Sequence, residues 1–199
     1  MAESKNLKDY HQKRDFDQTS EPKESLKKTS GEKPIFVIQK HDASNLHYDF
    51  RLQVGDVLKS WAVPKGPSTD PSEKRLALET EDHPLDYADF EGVIPEGQYG
   101  AGVVIVWDTG TYENTSEKKG EKYSMEEALE KGHITVTLQG KKLTGGYALI
   151  RTQGGENPKW LLMKKKDDEA DARRNPVSTE PKSVISGKTI ANLKGDADQ

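Results

Sequence analysis

The sequence predicts a mainly β protein, a compact antiparallel β barrel with one or two short flanking helices. Two observations carry this. Short runs of β-branched and aromatic residues recur through the middle of the chain, cut by Pro, Gly, Asn and Asp breakers. One stretch alone combines helical periodicity with a capping signal. Many short strands with a single helix suit a closed or nearly closed barrel.

The first two strands fall at residues 35–41 and 47–54, with turn formers at 42–45 between them. If His41 and His47 bracket the intervening loop as cross-strand partners, Gln39 faces Asp49 and Val37 faces Arg51 on one side of the sheet. Tyr48, Phe50 and Leu52 then take the other side. Strands at 58–63, 75–81, 102–107, 133–138, 146–152 and 160–164 follow, with turns at Pro64-Lys65-Gly66-Pro67, Thr109-Gly110 and Gly154-Gly155. Ser124 and Glu127 form a capping box that starts a helix over residues 125–131, whose Met125, Ala128 and Leu129 share a face.

The chain of 199 residues, 32% hydrophobic and 32% charged, fits one domain with polar ends. Residues 34–165 form the expected core. Residues 1–33 and 166–199 are expected as polar segments, flexible or loosely docked. Residues 34–163 carry 14 Lys and Arg against 20 Asp and Glu. The basic footprint of a protein that coats duplex nucleic acid is missing, so any nucleic acid is expected to be held at one end or one phosphate. Zero cysteines excludes disulfides, thiolate metal sites and a cysteine nucleophile. No apolar run reaches the roughly 20 residues of a membrane span, and no signal-peptide core is present. A cytoplasmic monomer is expected.

The run from His41 to Arg51 carries the chemistry. His47, Asp49 and Arg51 alternate onto one face, and a cross-strand His41 comes about 5 Å from His47 at the Cβ level. Two imidazoles and a carboxylate can converge on a first-row divalent cation such as manganese, iron or zinc, whereas calcium takes oxygen ligands. The plain alternative is the polar face of an amphipathic hairpin. Arg51, with Lys65 in a stiff Pro/Gly turn and Arg75 at the start of the next strand, would give three cationic groups for an anionic ester. His83 and Tyr87, four apart, would meet on one helical turn and offer a proton or hydrogen bonds to a leaving group. Otherwise they cap and pack a turn.

The segments Phe36-Val37-Ile38-Gln39-Lys40-His41, His47-Tyr48-Asp49-Phe50-Arg51-Leu52, Trp61-Ala62-Val63-Pro64-Lys65-Gly66-Pro67, Glu81-Asp82-His83-Pro84-Leu85-Asp86-Tyr87 and 90–100, in that order, closely resemble the 3′-phosphoesterase domain of bacterial DNA ligase D. The resemblance covers roughly residues 5–165, and residues 181–192 are similar to the segment that follows that domain. It implies a β barrel and a manganese-dependent enzyme that heals DNA primer-template 3′ ends. Such an enzyme removes a terminal ribonucleoside to leave a 3′-phosphate, then hydrolyses that phosphate to a 3′-hydroxyl.

By position, the resemblance makes His41, His47 and Asp49 metal ligands and Arg51, Lys65 and Arg75 phosphate contacts. It makes His83 and Tyr87 further active-site residues; from charge, Arg51 is expected to neutralise the phosphoryl group and His83 to be the proton donor, so His83, Tyr87 and Arg51 form the expected catalytic set. Arg14, Asp15 and Glu21 serve the ribonucleoside step, which implies that part of the N-terminal segment docks. The sequence departs from ligase D in carrying no ligase or polymerase module and no Lys-x-Asp-Gly adenylation motif, so healed ends are expected to pass to a separate ligase or end-joining proteins. Two rival readings are a noncatalytic DNA-end-binding module and a non-haem iron oxygenase using His47, Asp49 and a distal His133.

Overall fold

The computed structural model describes residues 7–25, 31 and 33–197; the portions of the polar ends at 1–6, 26–30, 32 and 198–199 lie outside the described residues. The leading hairpin sets the geometry of everything else. β1 (Ile35–Asp42) and β2 (Leu46–Val54) pair antiparallel with Val37 opposite Arg51, Gln39 opposite Asp49 and His41 opposite His47. The ladder runs one pair further than expected, Asp42 with Leu46, so the turn tightens to residues 43–45.

The chain continues through β3 (Val57–Val63), β4 (Lys74–Pro84), β5 (Gly92–Ile94), β6 (Gly102–Asn114), β7 (Glu117–Lys118), β8 (Glu121–Lys122), β9 (His133–Gly140), β10 (Thr144–Gln153) and β11 (Lys159–Lys164). Eight of these close an antiparallel barrel in the order β1-β2-β3-β4-β11-β10-β9-β6, with β6 returning to β1. Full closure removes the open edges that a sheet of this length would otherwise expose. β7 and β8 make a separate short hairpin.

Closure depends on β6, which runs straight through the expected Thr109-Gly110 turn. Gly110 lies opposite Gly140 in the β6–β9 ladder, and a Cβ there would sit 2.0 Å from the Gln139 carbonyl oxygen. The glycine marks a close approach of two backbones. On one edge β6 meets β5 through residues 102–104 and β9 through 110–114, which leaves its middle unpaired on that side. Glu91 accepts the Val106 N–H at 2.8 Å and the Val184 N–H donates to the Val106 carbonyl at 3.0 Å, so the gap is filled.

The barrel wall has two apolar faces. Its interior is filled from all eight strands by Phe36, Ile38, Tyr48, Phe50, Trp61, Trp107, Tyr147, Trp160 and their neighbours, with the Trp61 and Trp160 rings edge-on at 5.7 Å. These are the inward residues of the period-two pattern. Truncating one such aromatic costs about 3–5 kcal/mol. A second cluster covers part of the outer face, where Val37, Leu58, Val104 and Val106 meet Leu7, Tyr10, Leu85, Tyr87 and Phe90. The chemistry lies on this outer side.

Helices are short. α1 (Lys8–Gln12) precedes the barrel; α2 (Met125–Lys131) starts at Ser124 with both capping-box hydrogen bonds and ends at Gly132 with φ +69°. α3 (Pro176–Thr179) and α4 (Ile190–Ala197) lie in the C-terminal segment. That segment is fastened rather than loose. Lys142 Nζ donates to the Glu180 and Lys182 carbonyls, Trp107 Nε1 donates to the Glu180 carbonyl at 2.8 Å, and Lys194 pairs with Asp42 at 2.5 Å. No helix among the described residues is long and apolar enough to cross a membrane.

Candidate active site

The β1–β2 register delivers His41, His47 and Asp49 to one point on the outer wall. One ligand atom from each lies within 4.8 Å of the others. Asp49 Oδ2 is 3.5 Å from His41 Nδ1, and Asp49 Oδ1 is 3.4 Å from His47 Nε2. The far nitrogen of each ring is committed to a carbonyl: His41 Nε2 donates to Gly100 at 2.7 Å and His47 Nδ1 donates to Asn45 at 2.9 Å. Those bonds fix the tautomers so that a lone pair on each ring faces Asp49. Two imidazoles and a carboxylate with fixed outer partners fit a divalent first-row ion.

Electrostatics keep the carboxylate charged. Burial would raise the Asp49 pKa, but the Arg51 charge and the close contacts with both imidazoles outweigh it and hold the group well below the usual range. Burial would likewise lower His47, yet Asp49 raises it overall.

Arg51, opposite Val37 and buried, is the hub beside this cluster. Its Nε donates to Gln39 Oε1 at 2.8 Å, its Nη1 donates to Ser60 Oγ at 2.8 Å, and its Nη2 lies 3.4 Å from Asp49. Gln39 is in turn fixed by donating to the Tyr87 and Phe90 carbonyls at 2.8 and 3.1 Å. The guanidinium fork is thus oriented before any ligand arrives.

His83 closes the other side, but by a different route from the expected helical turn. It is the last residue but one of β4, which closes at Pro84, and Tyr87 sits in the following 3-10 turn (Leu85–Asp89); the two rings meet edge-on at 4.7 Å. His83 Nδ1 lies 3.0 Å from Arg51 Nη1 and its Nε2 lies 3.4 Å from Arg14 Nη2. Burial and these two positive neighbours push its pKa well below the ordinary histidine value, so the ring is neutral.

Residues 7–25 complete the site. Tyr10 is fully buried, with its hydroxyl donating to the Pro22 carbonyl at 2.6 Å. Arg14 pairs with Glu21 at 3.0 Å and with Glu81 at 3.2 Å, and its guanidinium stacks 3.9 Å above the Tyr10 ring. The Tyr87 hydroxyl donates to the same Glu21 oxygen at 2.8 Å; burial, then the Glu21 charge, raises its pKa well above the usual phenol value. A cavity of about 300 Å³ results, lined by the three ligand residues, Arg14, Glu21, Arg51, Glu81, His83, Tyr87 and Tyr99.

Three expected residues stay out of that lining. Lys65 is exposed in the turn after β3. Arg75 shares a strand face with the interior residue Ala77, opposite in parity to the cavity residue Thr80, and pairs with Glu73 at 2.9 Å. Of the cationic trio, Arg51 lines the cavity, where Arg14 joins it, and Lys65 and Arg75 do not. Asp15 is exposed and organises its own turn, accepting from the Asp17 N–H at 3.1 Å and from Gln18 Nε2 at 3.0 Å. His133 opens β9 in a separate groove with Tyr123 and Lys131, so the oxygenase arrangement with His47 and Asp49 does not form. Sequence reasoning gave no role to Gln39, Ser60, Glu81 or Tyr99. Gln39 was legible from its parity with His41; the Gly100 and Asn45 carbonyls carry no residue-type signal.

The family model for the DNA ligase D 3′-phosphoesterase domain matches residues 39–151. The chain is 50% identical, over 99% of its length, to the multifunctional non-homologous end joining protein LigD of Pseudomonas aeruginosa, of which it covers 23%. It is 45% identical over 93% of its length to the multifunctional non-homologous end joining DNA repair protein LigD of Mycobacterium tuberculosis, again covering 23%. With the Mycolicibacterium smegmatis LigD the identity is 44% over 82% of the chain and 21% of the relative. The chain thus spans less than a quarter of the length of these relatives.

Proposed function

Since the chain belongs to the DNA ligase D 3′-phosphoesterase family, we propose that it is a manganese-dependent hydrolase that heals DNA 3′ ends. It removes a terminal ribonucleoside to leave a 3′-phosphate, and then converts that phosphate to a 3′-hydroxyl. One observation carries the reading: the His41, His47 and Asp49 ligand set and the Arg51 and Arg14 guanidiniums face the same cavity. His41, His47 and Asp49 would hold the divalent ion, which when bound would supply Lewis-acid chemistry toward a phosphoryl group.

The chain's own groups do the rest. Arg51, already fixed by Gln39 and Ser60, neutralises charge that grows on the phosphoryl oxygens, at no reorganisation cost during the reaction. Arg14 supplies the second cation, held in place by Glu21 and Glu81. His83 is neutral between two guanidiniums. An incoming phosphoryl group offsets those positive charges and lets His83 take up a proton from solvent, which it then gives to the leaving oxygen. Tyr87 holds Glu21, and Asp15 shapes the turn that carries Arg14 and Glu21. Healed ends pass to a DNA ligase or end-joining proteins.

The test is a gel assay on 5′-labelled primer-templates ending in one ribonucleotide or in a 3′-phosphate, with manganese present or chelated. Wild type should produce 3′-hydroxyl ends only with metal, and His47→Ala should not. Metal binding without turnover of either substrate would refute the enzyme and leave an end-recognition module.

A further inference from the structure

Among the exposed large apolar side chains of the described residues, Tyr99 alone lines the cavity, and it is 47% exposed. Its position is fixed on several sides. Lys13 Nζ and the Arg14 guanidinium stand 4.9 and 5.4 Å from the ring centroid. The Gln98 N–H donates to the Pro95 carbonyl at 3.2 Å, and the Ala101 N–H donates to the Gln98 carbonyl at 3.1 Å. Gln98 Nε2 reaches Gln18 at 3.2 Å, and the neighbouring Gly100 carbonyl holds His41.

The same ring borders a second groove of about 470 Å³ that leads from Thr80 and Glu81 to residues 155–158. Asp9, Glu81 and Glu156 line it, with Lys13 as its cation. A strand that continued along this groove would set its backbone phosphates against those carboxylates. A terminal nucleoside brings no further phosphate, and its sugar hydroxyls donate hydrogen bonds that carboxylates accept.

We propose that Tyr99 is the stacking platform for the base of the 3′-terminal nucleoside released in the first step, and that the acidic groove beyond it takes the sugar. This rests on the end-healing reading. Every base has a π face, so the platform tolerates any of the four while rewarding the presence of a base.

Two measurements on wild type, Tyr99→Ala and Tyr99→Phe decide it. In the first, primers end in a normal ribonucleoside or in an abasic ribose. Wild type and Tyr99→Phe should remove the base-bearing residue roughly 5- to 150-fold more efficiently than the abasic one, mainly through KM. Tyr99→Ala should lose that preference. In the second, with metal chelated, a 3′-terminal 2-aminopurine ribonucleoside should be quenched on binding to wild type and Tyr99→Phe. With Tyr99→Ala, binding followed by anisotropy should leave it bright. Equal handling of the two primers by wild type, or quenching that persists in Tyr99→Ala, overturns the proposal. If wild type turns over neither primer nor a 3′-phosphate end, the end-healing reading fails on its own, and the quenching experiment still decides whether Tyr99 stacks a base.

Discussion

Gln39→Met removes both polar ends of a fully buried side chain while keeping its length and apolar stem. Gln39 accepts from the charged Arg51 Nε at 2.8 Å and donates to the Tyr87 and Phe90 carbonyls at 2.8 and 3.1 Å. A hydrogen bond to a charged group contributes about 1.5–3 kcal/mol and a neutral one about 1 kcal/mol. The three together give a loss of about 4 kcal/mol. For a domain of this size each kcal/mol moves the melting temperature by about 2–4 °C, so a fall of roughly 8–16 °C is expected. Because the lost bond orients Arg51, hydrolysis of a 3′-phosphate should fall by about 10- to 100-fold, with metal affinity nearly unchanged. Calorimetry in chelator reads the stability, and the primer assay reads the rate. A melting shift below 2 °C together with near-normal turnover would refute the argument that Gln39 holds the fork.

Metal titration of wild type should raise the melting temperature as bound ligand stabilises the native state, and His47→Ala, which removes one of the three ligands, should abolish that rise. His83 has a native pKa well below its unfolded value, through burial and its arginine neighbours. Its unfolded form therefore binds the extra proton first: its contribution to stability is present above about pH 6.5 and is lost as pH falls, with a limiting slope of about 1.4 kcal/mol per pH unit. Denaturant melts from pH 7.5 to 5 should show that slope, and His83→Gln should flatten it. Gly110→Ala drives a methyl into the Gln139 carbonyl and should cost several kcal/mol or prevent soluble folding, whereas Gly154→Ala, with nothing within 4 Å, should melt close to wild type.

The metal half of the site was legible because a hairpin has a strict period of two. Once His41 and His47 are partners, the faces of Gln39, Asp49 and Arg51 follow without further knowledge. The anion half was not legible in that way. Arg14 reaches His83 through a segment that composition reads as a polar tail, because one buried Tyr10 and a few ion pairs dock it where mean hydropathy suggests nothing would. Gly110 was misread for a related reason: glycine is chosen both for turns and for close backbone approach, and only the position of β9 tells the two apart. Arg75 lost its expected place because β4 slips by one residue between Thr80 and His83, so Arg75 keeps the face of Ala77 while His83 turns to the cavity.

The three candidate ligands His41, His47 and Asp49 lie within nine consecutive residues of one hairpin, while other groups that line the cavity come from positions 14, 21, 51, 81, 83 and 87. The two halves therefore differ in how much chain must be ordered to form them. Local opening that frees residues 7–25 removes Arg14 and Glu21 yet leaves the β1–β2 ladder intact. Under the proposed function, such an opened molecule would keep the candidate ion ligands but lose Arg14 from its grip on a phosphoryl group. Metal occupancy is then a poor proxy for the competent fraction of a preparation, and amide exchange at residues 10–22 is the better one.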